Sequence, residues 1–325
     1  MKYIKLLEKF LNDDKVQWVK IHKVGSKTES KKVDALTDLA KNKLFNMFFM
    51  NPELMERTKK KKLDHTVPTL RYGGSNKDVI KYIEDNKLDK STVYNWNTDA
   101  INLSSDKKLW HQKLEGKNYI PKTVYDKKDL SKLKFPIIAK PSIGHSGIGI
   151  KKFETIEEAN KDKGTFDLYS ECIDFISEYR IMFIKDNPIV LYERIVNKKY
   201  NKTIETKGLK EEVNFIYIQQ NMDKTPFMDQ IKDIQQDFRK LIELDCYSLD
   251  FFVDKKDKVW MIESNSNSGL GANSLACVYK GMYEDFYGKK PPKTKMDIVN
   301  KIIREYADEM KKMYSEEYKE TKYPQ

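Results

Sequence analysis

The chain has 325 residues, 39% of them hydrophobic and 12% aromatic, enough apolar material for two or three packed lobes and too much for wholesale disorder. Its net charge of +11 admits an anionic partner, but only six of the 61 basic residues are arginine, a bias that resembles coding from an AT-rich genome and gives little of the bidentate chemistry that reads nucleic acid. Three widely spaced cysteines (Cys172, Cys246, Cys277) with no CxxC pair exclude a disulfide framework or a zinc site and fit reduced thiols in the cytoplasm.

Along the chain, residues 1–104 read as an open α/β lobe. Val67–Tyr72 is extended, Gly73-Gly74-Ser75 turns, Asp78–Asn86 has helical spacing, and Ser91–Tyr94 is a short β-type run. Asp106-Lys107 opens a helix that runs to a glycine stop at Gly116. The signals then sharpen into a strand over Phe135–Lys140, a glycine loop over Pro141–Gly147 and a second strand over Ile148–Phe153. Thr155-Ile156-Glu157-Glu158 has the spacing of a capping box and starts a helix.

Strands follow over Phe166–Ile173, Tyr179–Ile184 and Ile189–Val196. Thr225-Pro226 caps an amphipathic helix ending near Leu244, and a hairpin pairs Tyr247–Val253 with Val259–Glu263. The segment from Thr294 to about Lys319 is helical by period. Antiparallel strands with flanking helices make the part after residue 105 an α+β body. No apolar run approaches the ~20 residues needed to span a bilayer, and Met1-Lys2-Tyr3-Ile4-Lys5 does not lead into a signal-peptide core, so no membrane is expected.

Two features carry chemistry. In Lys140-Pro141-Ser142-Ile143-Gly144-His145-Ser146-Gly147-Ile148-Gly149-Ile150, glycines let successive N–H groups turn toward one anion, and a strand lysine neutralises it. The lysine precedes the glycines and a strand follows them, so this is not the strand-to-helix phosphate loop. A glycine-rich surface hairpin would have the same composition. Downstream, Asp250, Glu263 and Asn265 fall on one hairpin and its exit. Their parity lets Asp250 oppose Glu263, forming a hard, all-oxygen set suited to Mg²⁺ on phosphates. A polar hairpin end is the plainer alternative. Against it, Val259-Trp260-Met261-Ile262 is apolar, so Glu263 emerges from a buried strand.

Taken together, these residues resemble the ATP-grasp ligases over roughly Asn102 to Leu275, specifically the carboxylate–amine, glutamate-type branch. The resemblance implies an ATP-grasp domain over 105–290, with subdomains 105–172 and 173–290 clasping ATP, followed by a helical tail over 291–325. Lys107, in the Asp-Lys pair, and Lys140 would reach the phosphates, as would Ser146, Gly147 and Gly149 of the loop, which would act as a lid. Glu171, Cys172 and Ile173 would hold adenine, and Glu178, seven positions after Glu171, the ribose. Asp250, Glu263 and Asn265 would bind two Mg²⁺ ions, with Mn²⁺ an alternative.

Arg180 matches an arginine that follows the ribose glutamate, as a charge clamp or as a salt bridge to a neighbouring carboxylate. Arg194 and one of Lys198, Lys199 and Lys202 fall where the family places basic groups for substrate or γ-phosphate. The chain departs from the family at Ser248, where an arginine often stands two residues before the metal aspartate. It departs again at Asn265–Gly271, which lacks a proline.

The implied reaction is ATP-dependent amide formation through an acyl phosphate, between small-molecule or peptide carboxylate and amine substrates. A nucleic acid or acidic peptide as a large anionic acceptor rests on charge alone. The rivals are a kinase on the same fold and a nucleic-acid-binding protein with a vestigial ATP site.

Overall fold

The computed structural model describes residues 90–144, 149–196, 227–266 and 272–302, the short stretches 16–20, 45–49, 68–72 and 215–220, and the single positions 85, 87, 222, 225, 304 and 305. Its chain divides into two compact units, 1–96 with 267–325, and 97–266.

In the first unit, β1 (Val16–Lys20), β2 (Phe45–Phe49), β3 (Thr69–Tyr72) and β4 (Val93–Tyr94) form an all-parallel sheet in the order β2-β1-β3-β4. Parallel strands require crossover connections, as expected of an open α/β lobe. The strand expected over Val67–Tyr72 is β3; the turn expected at Gly73–Ser75 lies outside the described residues.

The second unit holds two antiparallel sheets. It opens with two short helices, α1 (Thr98–Ser105) and α2 (Lys107–Lys113). Asp106 separates them: its carboxylate accepts from Leu109 N–H at 3.0 Å, capping α2. The helix closes before Gly116, whose φ of +82° suits a residue without Cβ. The smaller sheet orders β5 (Thr123–Val124), β8 (Leu168–Glu171), β6 (Ile137–Lys140) and β7 (Lys151–Phe153), with α3 (Ile156–Lys161) against it. Thr155 caps α3 through Glu158 N–H at 3.2 Å, as the box spacing requires.

The larger sheet has the order β11-β10-β9-β12-β13, built from β9 (Phe175–Ile184), β10 (Asn187–Val196), β11 (Phe215–Gln220), β12 (Cys246–Asp254) and β13 (Val259–Asn265). One face is apolar: Ile181, Phe183, Leu249, Phe251 and Met261 are fully buried in one core with Ile231, Ile234 and Phe238 of α4 (Met228–Leu241). α4 begins without a side-chain cap and stops at Leu241, so the expected Thr225 cap and the end near Leu244 are both corrected. Phe227, itself buried, takes the cap position, and packing of the apolar stripe outweighs the missing cap.

The register of β12 with β13 fixes the other face. Val253 pairs Val259, Phe252 pairs Trp260 and Phe251 pairs Met261. Uninterrupted, this pairing would set Asp250 opposite Ile262 and send Glu263 to the core face. A β-bulge after Asp250 shifts the register by one, so Asp250 pairs Glu263 and Ser248 pairs Asn265. Because the side-chain period is two, that single extra residue turns Glu263 and Asn265 to the face of Asp250.

Candidate nucleotide and metal site

Four segments of the second unit converge. β9 contributes Glu178 and Arg180, two residues apart on the polar face, and Arg180 is registered directly opposite Asp250. Arg180 Nε donates to Asp250 Oδ1 at 2.7 Å and Nη2 to Oδ2 at 2.6 Å, a two-pronged fork. The arginine therefore reaches Asp250 from the neighbouring strand, while Ser248 is fully buried. Of the two readings open for Arg180, the salt bridge is the arrangement observed. Glu178 is buried beside it, registered opposite Phe252 on β12 and Arg194 on β10.

Lys107 enters from the first turn of α2. Its Nζ lies 3.1 Å from Glu263 Oε1 and donates to the Gly144 carbonyl at 2.8 Å. One ammonium thus ties the glycine loop to the end of β13. The base of that loop is fixed at Ser142, whose N–H donates to Asp167 Oδ2 at 2.7 Å and whose carbonyl accepts from Lys107 N–H at 2.8 Å. Gly149, at φ +77°, returns the loop toward Pro141, with room for no more than a tight Cβ at 3.3 Å. His145, Ser146 and Gly147 lie outside the described residues, as do Lys198, Lys199 and Lys202.

Lys140 ends β6. Loss of water around its ammonium and the positive charge of Lys107 hold its pKa below the ordinary lysine value, opposed by the carboxylate of Glu263. On the adjacent strand, Glu171 Oε1 accepts from Lys134 N–H at 3.0 Å, and Cys172 N–H donates to the Pro136 carbonyl at 2.9 Å. Cys172 and Ile173 are half-buried, and burial raises the Cys172 thiol pKa.

Three groups were not singled out in the sequence. Ser104 and Ser264 share a buried hydrogen bond at 3.1 Å, and Ser264 also donates to the Ser104 carbonyl at 2.9 Å. This clamps the strand end between Glu263 and Asn265 to α1. His111, one turn after Lys107, is only 1% exposed, and neither ring nitrogen has a hydrogen-bond partner. Burial, with Lys140 and Lys107 nearby, lowers its pKa to about 3, so the ring is neutral at physiological pH. A lone histidine on a helix gave no signal for this.

Among the described residues there is no group of three or more His, Cys, Asp or Glu placed to hold a metal. The set Asp250, Glu263 and Asn265 has two carboxylates and an amide, leaving further positions to phosphate and water oxygens. That chemistry fits a hard divalent cation shared with a nucleotide. Among the described residues, no helix is long and apolar enough to cross a membrane.

Two antiparallel sheets, a glycine loop between strands and a carboxylate hairpin define the ATP-grasp class. Comparison with known proteins agrees. Residues 112–285, more than half of the chain, match the profile of the family D-ala D-ala ligase C-terminus. Similar solved structures include D-alanine–D-alanine ligase from Bacillus anthracis (TM-score 0.59, 15% identity, 91% of this chain and 99% of that one). The same protein complexed with ATP gives TM-score 0.57 and 14% identity over 92% and 99% of the two chains. N5-carboxyaminoimidazole synthetase from Staphylococcus aureus complexed with ADP gives TM-score 0.57 and 12% identity over 85% and 78%. No curated protein matched the sequence. The chain belongs to the D-ala D-ala ligase C-terminus family. It is an ATP-dependent carbon–nitrogen ligase that joins a carboxylate to an amine through an acyl phosphate, and neither the kinase nor the nucleic-acid-binding reading is favoured.

Proposed function

We propose that the face carrying Glu178, Arg180, Asp250, Glu263 and Asn265, with Lys107, Lys140 and the glycine loop, binds ATP with two divalent cations and activates a small-molecule carboxylate. The observation that carries this reading is Lys107 bridging Gly144 and Glu263, because it sets a phosphate-type cation, a phosphate-type loop and a metal-type carboxylate within one hydrogen-bonded cluster.

In this reading Lys107 and Lys140 neutralise the phosphates, together with Ser146, Gly147 and Gly149. Glu171 and the backbone of Cys172 and Ile173 hold adenine, and Glu178 holds the ribose. Asp250, Glu263 and Asn265 hold Mg²⁺, which when bound neutralises phosphate charge and orients the γ-phosphoryl group. Arg180 and Arg194 serve the transferred phosphoryl group and the carboxylate. Catalysis is then charge stabilisation and positioning. The carboxylate oxygen attacks the γ-phosphorus and ADP leaves; the amine attacks the acyl carbon and phosphate leaves.

Amino acids are the substrates this family membership favours, and the basic surface gives no reason to prefer a macromolecular acceptor. ADP release with Mg²⁺ should be assayed across a panel of D- and L-amino acids and small amines, with mass spectrometry of the product. An amide mass from one pair supports the reading; ADP release that depends on no carboxylate in a broad panel contradicts it.

A further inference from the structure

We infer that Arg180 and Lys107 are internal counter-cations of the metal carboxylates, so that divalent cation and nucleotide enter this site by exchange and bind with positive linkage. Taking Asp250 and Glu263 as the metal carboxylates, as proposed above, each is held in this structure by a group that the same reading gives to the phosphoryl or acyl centre. Arg180 occupies both oxygens of Asp250, at 2.7 and 2.6 Å, with the carboxylate side chain only 8% exposed. Lys107 lies 3.1 Å from Glu263. Asp250 and Glu263 are direct cross-strand partners, a placement at which two uncompensated carboxylates repel each other. The two cations remove that repulsion.

The same pairing obstructs a metal. The Arg180 fork takes one lone pair on each Asp250 oxygen, and any divalent cation using the remaining ones would sit a few ångströms from the guanidinium charge. Tight metal binding therefore requires Arg180 and Lys107 to find another anion. The nucleotide phosphates are that anion. Their arrival draws the cations off the carboxylates, and the metal in turn frees the cations for the phosphates. Such coupling is reciprocal by thermodynamic necessity. The nucleotide-free protein should hold divalent metal weakly, with tight binding confined to the state that also holds phosphates.

The test is Mn²⁺ binding to nucleotide-free protein, read by the EPR signal of free Mn²⁺ and by the melting shift that Mn²⁺ produces. Wild type should bind weakly. Arg180→Met and the milder Arg180→Lys, which keeps a cation but loses the fork, should both bind more tightly, Met by about tenfold or more. Mn²⁺ should raise the melting temperature of Arg180→Met more than that of wild type, because the metal then compensates a carboxylate left without its partner. Lys107→Met should act in the same direction through Glu263. Lys255→Ala, which breaks only the exposed pair with Asp174, controls for net charge and should change nothing.

Unchanged Mn²⁺ affinity in Arg180→Met, Arg180→Lys and Lys107→Met would overturn the exchange. If in that case Asp250→Asn still weakens Mn²⁺ binding in the presence of ATP, the metal assignment survives alone. If Asp250→Asn has no effect there, the metal assignment falls and the exchange with it.

Discussion

Lys107 Nζ sits between the Gly144 carbonyl, 2.8 Å away, and Glu263 Oε1, 3.1 Å away, so one side chain links the glycine loop of the small sheet to the last strand of the large one. Glu263 is consequently the carboxylate on which the two halves of the site meet. Glu263→Gln keeps the shape and removes the charge. Its kcat for ADP release should fall by about 100-fold or more, the loss of several kcal/mol of charge stabilisation, while its melting temperature stays near that of wild type. Steady-state turnover beside a melting curve checks both.

Lys107 and Lys140 are expected to differ from the other basic residues in nucleotide affinity. A charge-assisted hydrogen bond contributes about 1.5–3 kcal/mol, so Lys107→Ala and Lys140→Ala should each weaken ATP binding by roughly 10- to 100-fold. Lys117→Ala, whose partner is the surface residue Asp237, should leave ATP binding unchanged. Titration calorimetry with ATP separates the three.

His111 gives a pH prediction. Its folded pKa of about 3 lies below the ordinary 6.5 because its ring is desolvated and flanked by Lys140 and Lys107. Between those values the unfolded chain binds a proton that the folded chain does not, so the contribution to stability is full above 6.5 and is lost as pH falls toward 3. His111→Leu should remove that component. Urea unfolding at pH 7 and pH 5 should show wild type losing on the order of 1–2 kcal/mol more than the variant at the lower pH. Equal losses would show that His111 does not titrate this way.

Much of the site was legible because ionisable residues stood where buried strands begin and end. Lys140 and Glu171 fall on the strands expected for them, and Asp106 caps the helix it was expected to open, whereas Glu178 lies on a strand that begins at Phe175, ahead of the expected start at Tyr179. The pairing of Asp250 with Glu263 was legible as parity, yet the structure achieves it through a bulge that no residue announces. Register is set by which face must be buried, a property of the assembled sheet. The partners of the charged groups were equally hidden. Arg180 meeting Asp250 joins residues 70 positions apart, and Ser104 meeting Ser264 joins residues 160 apart. The missing cap at α4 has the same origin, since packing of Ile231, Ile234 and Phe238 decides that helix.

Gly149 offers a local test of the loop. Its φ of +77° strains any L-residue, and a Cβ there would meet Pro141 at 3.3 Å. Gly149→Ala should cost about 1 kcal/mol or slightly more in stability and raise the KM for ATP, with a smaller effect on kcat. Chemical denaturation and a substrate-saturation series check the two parts.

Trapping the activated carboxylate separates ligation from simple phosphoryl transfer. Wild-type protein, ATP, Mg²⁺ and an active carboxylate are incubated with hydroxylamine in place of the natural amine. An acyl phosphate is intercepted as a hydroxamate, which colours with ferric ion, while ADP and free phosphate appear in equal amounts. Hydroxamate should form with wild type and be lost in Glu263→Gln. Phosphate retained on the substrate, with no hydroxamate formed, would contradict ligation through an acyl phosphate.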